Sequence, residues 1–344
     1  MRQSAAMGHG DRFDDLIDSL GGFHRSWLVY LGLETGLFAH VRAAGTEGIT
    51  PAALAAATGA HAEAVDVWSW AADAHDLVAL DDGRLTIDPD VAAILLDEDR
   101  ADYLGGQFAH AVVASMDWSG MAAFFRSGTP IADRPDRYRV AIEKLTRQDI
   151  AVFFQEALAA LPQLVADLSR GGRVVDVHCG GGRWLVAMAR RFPQLELVGV
   201  EFEADSVARA RATIEAEGLT DRITIRQAKA TDAGKTGEYD LAYFQYALHQ
   251  LHDAPSVLRA AWAAIRPGGR LLVLDWPLPS DPDEFRTRHG ELIAGVQLDE
   301  LYQGTALVPR DRFLAWIEES GLPAPTTIAL PSGATLFAVE RPAA

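Results

Sequence analysis

Apolar residues follow two rhythms along this chain. Up to about residue 150 they recur mostly every three or four positions, and beyond it such stretches alternate with short runs rich in β-branched residues. The pattern is sharpest from Arg173 to Glu201. Val174–Val177 is a short apolar run that reaches Gly180, Gly181 and Gly182, which reads as a buried strand feeding a tight loop. Trp184, Leu185, Met188 and Ala189 then recur at helical spacing, with Arg190 and Arg191 in the last turn and Pro193 closing the segment. A second strand, Leu195–Val200, ends on Glu201. Such a βαβ unit is suited to a nucleoside, because glycines let the backbone approach the ligand and a terminal acid accepts bonds from ribose hydroxyls.

The same alternation continues to the end. A helical stretch, Ile150–Leu168, precedes the glycine loop, and Asp205–Gly218 reads as another helix. Further strands are expected at Arg222–Ala230, from Tyr239, and after the Gly268-Gly269 turn, the last with Asp275 at its tip. A terminal hairpin is expected around Pro331–Gly333. Strands alternating with helices predict an α/β fold with a parallel sheet.

The N-terminal rhythm differs. Phe13–Val41 has helical spacing with glycine breaks and carries Phe23, Trp27, Leu28, Tyr30, Leu31, Leu33, Leu37 and Phe38. Thr50-Pro51 starts a helix that ends at Gly59, a second runs from about Ala62 to Asp73, and Asp82-Gly83 turns a short hairpin. Helix, turn, helix and hairpin predict a winged helix. Three regions follow: 1–102, winged-helix-like; 103–148, a helical linker; and 149–344, the α/β domain.

Composition narrows the function. A chain of 344 residues, 49% hydrophobic and 23% charged, has ample core for two domains. No run approaches the ~18 consecutive apolar residues of a membrane span, and the N-terminus lacks a secretory apolar core, so a cytoplasmic protein is expected. The single cysteine, Cys179, excludes an intramolecular disulfide and reads as a small residue packed behind the loop. A net charge of −17 opposes polyanions. The second helix of the winged helix carries Glu63, Asp66, Asp73 and Asp76 without lysine or arginine, which argues against a DNA-binding regulator. Small molecules are the expected ligands.

Which nucleoside is bound depends on the loop. A dinucleotide fingerprint needs a third glycine where Leu185 stands, so NAD is disfavoured. Asp176-Val177-His178-Cys179-Gly180-Gly181-Gly182 instead resembles motif I of class I S-adenosylmethionine (SAM) methyltransferases, with His178 in place of the first glycine. RPGGRLL, the closing hairpin and the winged helix extend the resemblance to the small-molecule O-methyltransferases over nearly the whole chain.

That resemblance implies a Rossmann-like SAM domain, SAM as cofactor, and a homodimer formed by the N-terminal domain through Phe23–Phe38. It places cofactor contacts at Asp176, His178, Gly180, Gly182, Glu201, Phe202, Lys229, Ala230, Phe244 and Gln245. Lys229 stands where the family has an aspartate for the adenine amino group, and Asp232 is the nearby substitute. FQYALHQLHD aligns His249 with the family's general base and Asp275 with its first acidic partner, while the second partner, a glutamate, falls on Leu307. Met116, Trp118, Met121, Phe125 and Phe154 are the expected pocket residues, with core packing as the alternative reading of the cluster that holds Met116, Trp118, Met121 and Phe125. No metal is expected, although His249 and His252 share the spacing of a ligand pair. The implied reaction is methyl transfer to a small aromatic or polyketide-like acceptor, most readily at oxygen. The departures at His178, Lys229 and Leu307 leave open carbon or nitrogen methylation, or a SAM-binding enzyme such as a cyclase that transfers no methyl.

Overall fold

The computed structural model describes residues 9–343 and divides into two compact units. One comprises the chain up to Ser119 with Arg134–Gln148, the other Gly120–Asp133 with Asp149 to the C-terminus. Residues 103–148, expected as one linker, are thus shared between them.

The first unit opens with a 26-residue helix, His9–Glu34. Gly36, at φ 76°, turns the chain so that the next helix, Leu37–Ala43, folds back. Leu37 and Phe38 therefore enter this unit's own core with Val29, Leu54, Val65 and Leu85, and the Phe38 ring sits 5.2 Å from Trp68. Of the expected interface segment, Phe23–Phe38, Phe23 and Leu31 are exposed while Leu37 and Phe38 are buried, and further exposed apolar residues lie upstream, at Phe13, Leu16, Ile17 and Leu20. Helices Pro51–Thr58 and Ala62–Ala74 follow, the first capped by the Thr50 hydroxyl, which accepts from Ala53 N at 3.2 Å. Strands β1 (Ala79–Asp81) and β2 (Arg84–Thr86) then pair across Asp82 and Gly83, both at positive φ, the backbone a two-residue hairpin requires.

The second unit holds a seven-stranded sheet. In chain order the strands are β3 (Gly172–Val177), β4 (Leu195–Glu201), β5 (Ile223–Gln227), β6 (Tyr239–Gln245), β7 (Ile265–Asp275), β8 (Thr326–Ala329) and β9 (Thr335–Glu340). Their order is β5-β4-β3-β6-β7-β9-β8, parallel from β5 through β7 and antiparallel for the closing hairpin. Two expected elements change. β5 stops at Gln227, because Lys229 leads into a 3₁₀ turn, Ala230–Asp232. The helix expected at Ile150–Leu168 is broken: a π turn spans Phe153–Ala157, and Leu161, at φ −127° and ψ 63°, leaves the helical backbone before Pro162, which disfavours helix in the residue preceding it. Chain order reverses between β3 and β6, and in such sheets the crevice beyond the carboxyl ends of those strands is where ligands bind.

Candidate active site

Two clusters occupy the carboxyl ends of these parallel strands. The first follows β3 and β4. His178 N and Cys179 N both donate to Val200 O, at 2.8 and 3.1 Å, fastening the glycine loop to the end of β4. His178 adopts φ 71°, the left-handed backbone that a glycine would supply, so the departure from the motif keeps its shape. Cys179 packs behind the loop, its sulfur 2.6 Å from where a Cβ on Gly199 would stand, and burial pushes its thiol pKa up. Glu201 is 2% exposed: one oxygen accepts from Gly180 N at 3.0 Å, the other from Phe202 N and Glu203 N at 2.8 and 2.9 Å. His178 Nδ1 lies 3.5 Å from the same carboxylate. Asp176, beneath the loop, is pushed up to about 8, first by burial and then by the charge of Glu201.

The second cluster joins β6 and β7. His249 Nδ1 lies 2.8 and 3.0 Å from the two oxygens of Asp275, and both side chains are buried. A carboxylate only accepts, so Nδ1 carries the proton of the neutral ring and Nε2 keeps its lone pair. Nε2 has no hydrogen-bond partner among the described residues. Burial pulls the His249 pKa down, but the charge and hydrogen bond of Asp275, helped by the charge of Glu300, outweigh it and raise the value. His249 is thus a paired imidazole with its basic nitrogen free.

The remaining expected residues are placed less uniformly. Gln245 ends β6 with a buried Oε1 that lacks a partner among the described residues. Phe244 points into the sheet's core cluster, so only its backbone can reach a ligand at this edge. Phe202 is 58% exposed beside Glu201, Lys229 and Asp232 are exposed, and Ala230 is half-buried. Leu307 is buried, with its N–H on Gln297 at 2.7 Å. Met121, Phe125 and Phe154 belong to the second unit, with Phe154 packed on Phe153, whereas Met116 and Trp118 belong to the first. His249 is engaged with Asp275, and among the described residues no group of three His, Cys, Asp or Glu is arranged around a metal.

Sequence reading missed five residues here. Asp149 is 4% exposed with one oxygen unpartnered, and burial, then the charge of Asp275, raise its pKa well above the carboxylate range. Tyr243 lies against Trp184 and Phe153, with ring centroids 4.4 and 4.8 Å away. Tyr246, at φ 48°, and Trp276 pack ring against ring at 5.1 Å. Glu300 accepts from the Thr305 hydroxyl within the field of His249. The one local signal was position, since Tyr246 and Trp276 directly follow β6 and β7.

Comparison with known proteins fits this geometry. Residues 174–269 match the methyltransferase domain family. The chain is 31% identical over 178 residues to the ubiquinone/menaquinone biosynthesis C-methyltransferase UbiE of Syntrophotalea carbinolica, covering 48% of this chain and 73% of that protein. It is 27% identical over 117 residues, 33% of this chain, to the demethylmenaquinone methyltransferase of Lactiplantibacillus plantarum, of whose length it spans about half, 49%. In fold it is similar to CalO1, a methyltransferase in calicheamicin biosynthesis solved with S-adenosylhomocysteine (SAH) bound, at a TM-score of 0.66 and 21% identity over 98% of this chain and all of that one. The chain belongs to the SAM-dependent methyltransferases, and its cofactor is SAM. The first cluster fits that cofactor: Gly180 has no atom within 4 Å of where a Cβ would stand, leaving its backbone open, and Gln245 Oε1 is a buried acceptor for a ligand donor.

Proposed function

We propose that the protein methylates a hydroxyl oxygen on a small aromatic or polyketide-like metabolite, with His249 as general base. The observation that carries this reading is the buried Asp275–His249 pair with Nε2 unpartnered. Gly180, Gly182, Glu201 and Gln245 would hold SAM, which supplies an already activated methyl group. What the chain must add is alignment and removal of one proton. His249 Nε2 receives the hydroxyl proton as the oxygen attacks, and Asp275 fixes the tautomer and stabilises the imidazolium that results. With a carbon acceptor, as in the UbiE relative's name, the new methyl would stand on carbon and the proton finally lost would come from that carbon, so the position of the methyl separates the two readings. Incubation with SAM and hydroxylated aromatics tests the proposal: a product one methyl heavier, carried on oxygen, is expected. An isomerised product with SAM unconsumed sinks it in favour of a cyclase.

The assembly belongs to the same reading. The stripe Phe13, Leu16, Ile17, Leu20 and Phe23 repeats at helical spacing on an exposed face, and a homodimer would cover it. Light scattering of Leu20→Asp should show a smaller particle than the parent; a parent already monomeric removes the idea. The lone thiol, Cys179, suits a reducing cytoplasm.

A further inference from the structure

The ends of β6 and β7 hold more polar chemistry than a single proton transfer needs. Besides His249 Nε2, and apart from the Gln245 Oε1 assigned to the cofactor, the residues that follow these strands bury two side-chain tips without a partner among the described residues, the Tyr246 hydroxyl and Trp276 Nε1. All three are placed by the same strand ends. Tyr246 N donates to Leu274 O at 2.8 Å, Trp276 N donates to Asp275 Oδ1 at 2.9 Å, and the same Asp275 holds His249. The rings of Tyr246 and Trp276 meet edge to face, at 5.1 Å and 63°. Tyr246 also carries φ 48°, a left-handed backbone costly for a bulky residue and persistent only where the surroundings fix it.

These three groups are not interchangeable. An indole N–H can only donate, a phenol can do either, and His249 Nε2 in its neutral tautomer can only accept. A buried donor left without an acceptor is unfavourable, so the ligand that completes this corner offers a hydrogen to His249 and a lone pair to Trp276. We infer that Trp276, seconded by Tyr246, is a specificity-determining residue that selects acceptors in which the reacting hydroxyl has a carbonyl or equivalent oxygen beside it. A hydroxyl next to a carbonyl is normally tied up in an internal hydrogen bond. An indole N–H that engages the carbonyl competes with that bond and frees the hydroxyl proton for Nε2.

This deepens the oxygen-methylation reading and rests on its placing of the hydroxyl at His249, but it is tested by binding and not by turnover. The probes are peri-hydroxytetralone and the tetrahydronaphthol that lacks only its carbonyl, titrated calorimetrically into the protein saturated with SAH. The ketone should bind roughly threefold to tenfold tighter, the scale of one neutral hydrogen bond. In Trp276→Phe the two should bind within about twofold of each other, while SAH affinity is kept. Tyr246→Phe should narrow the gap partially, and His249→Ala should leave it intact. Equal binding of the probes by the parent overturns the inference, as does binding of neither, or a preference unchanged in Trp276→Phe. Should Trp276→Phe lose SAH affinity, the parent's preference and Tyr246→Phe decide. A preference that persists while neither probe is methylated when SAM replaces SAH leaves this assignment standing and removes the methyl-transfer reading.

Discussion

The two clusters at the sheet's edge are built from different material. Around the loop after β3 the binding geometry is made by backbone: three N–H groups converge on Glu201, and two more fasten residues 178 and 179 to Val200 O. Beyond β6 and β7 it is made by side-chain tips, and those of Tyr246, His249 and Trp276 have no partner among the described residues. Backbone geometry survives a change of side chain if the new residue accepts the same φ and ψ, which is how His178 stands in a glycine's place. Side-chain geometry does not. The first cluster therefore suits a ligand common to a large family and the second an acceptor particular to one enzyme, so substitutions should weaken cofactor binding at one and alter chemistry at the other.

The largest expected effect separates them directly. His249→Ala should cut turnover by roughly a hundredfold or more, since positioned proton transfer contributes ~10² to 10⁴, and should leave SAM affinity within calorimetric error. Glu201→Ala should do the reverse. Its binding loss of about 1.5 to 3 kcal/mol is roughly 10- to 150-fold in Kd, read by titration, with turnover at saturating SAM reduced far less. If both variants lose binding and turnover together, the division between the clusters fails.

The pH profile sharpens the second cluster. His249 acts as a base only when neutral, and its pKa is raised, so turnover should climb with pH through an inflection above the ordinary histidine value of about 6.5. Asp275→Asn removes the main raising influences and leaves burial, so the inflection should drop below that value, with a smaller loss of turnover than in His249→Ala. Glu300→Gln removes only the weakest of them and should lower the inflection slightly, with the plateau at high pH nearly kept. The linkage to stability has a fixed sign. A pKa raised on folding adds stability that is present below the unfolded-state value and lost as pH rises through the folded one. An inflection that stays put in Asp275→Asn would show that another group titrates.

What could be read in advance follows the same division. Parallel strands, the glycine loop, Glu201 at a strand tip and the closing hairpin are written in local periodicity, because the central strands β3, β4 and β6 are buried on both faces over most of their length and each turn needs its glycines. His249 and Asp275 were legible through a motif. Asp149, Tyr246, Trp276 and Glu300 were not, since what marks them is a buried tip or a neighbour's charge set by residues far along the chain. Within the expected interface segment, Phe23–Phe38, the burial of Leu37 and Phe38 was hidden for a related reason. Helical spacing shows that Leu37 and Phe38 will be covered, but not that Gly36 turns them onto Trp68.

The smallest expected effect tests whether the first cluster is governed by backbone. His178 holds φ 71°, a conformation that costs a non-glycine L-residue about 1 to 2 kcal/mol. His178→Gly removes that strain but gives the unfolded chain more freedom, an opposing effect of about 0.4 to 1 kcal/mol. The contact it deletes, 3.5 Å to Glu201 from a side chain about one-third exposed, is too long and too open to add much. The sum is a gain of about 0 to 1.6 kcal/mol, a rise in Tm of roughly 3 to 6 °C at most for a unit of this size. SAM affinity should stay within about threefold, because the N–H groups that set the loop belong to the backbone and glycine adopts the same φ. Calorimetry on the same samples reads both quantities. A loss of SAM affinity beyond tenfold with stability unchanged would mean that the imidazole itself contacts the cofactor, and that the loop's side chains share the task assigned here to its backbone.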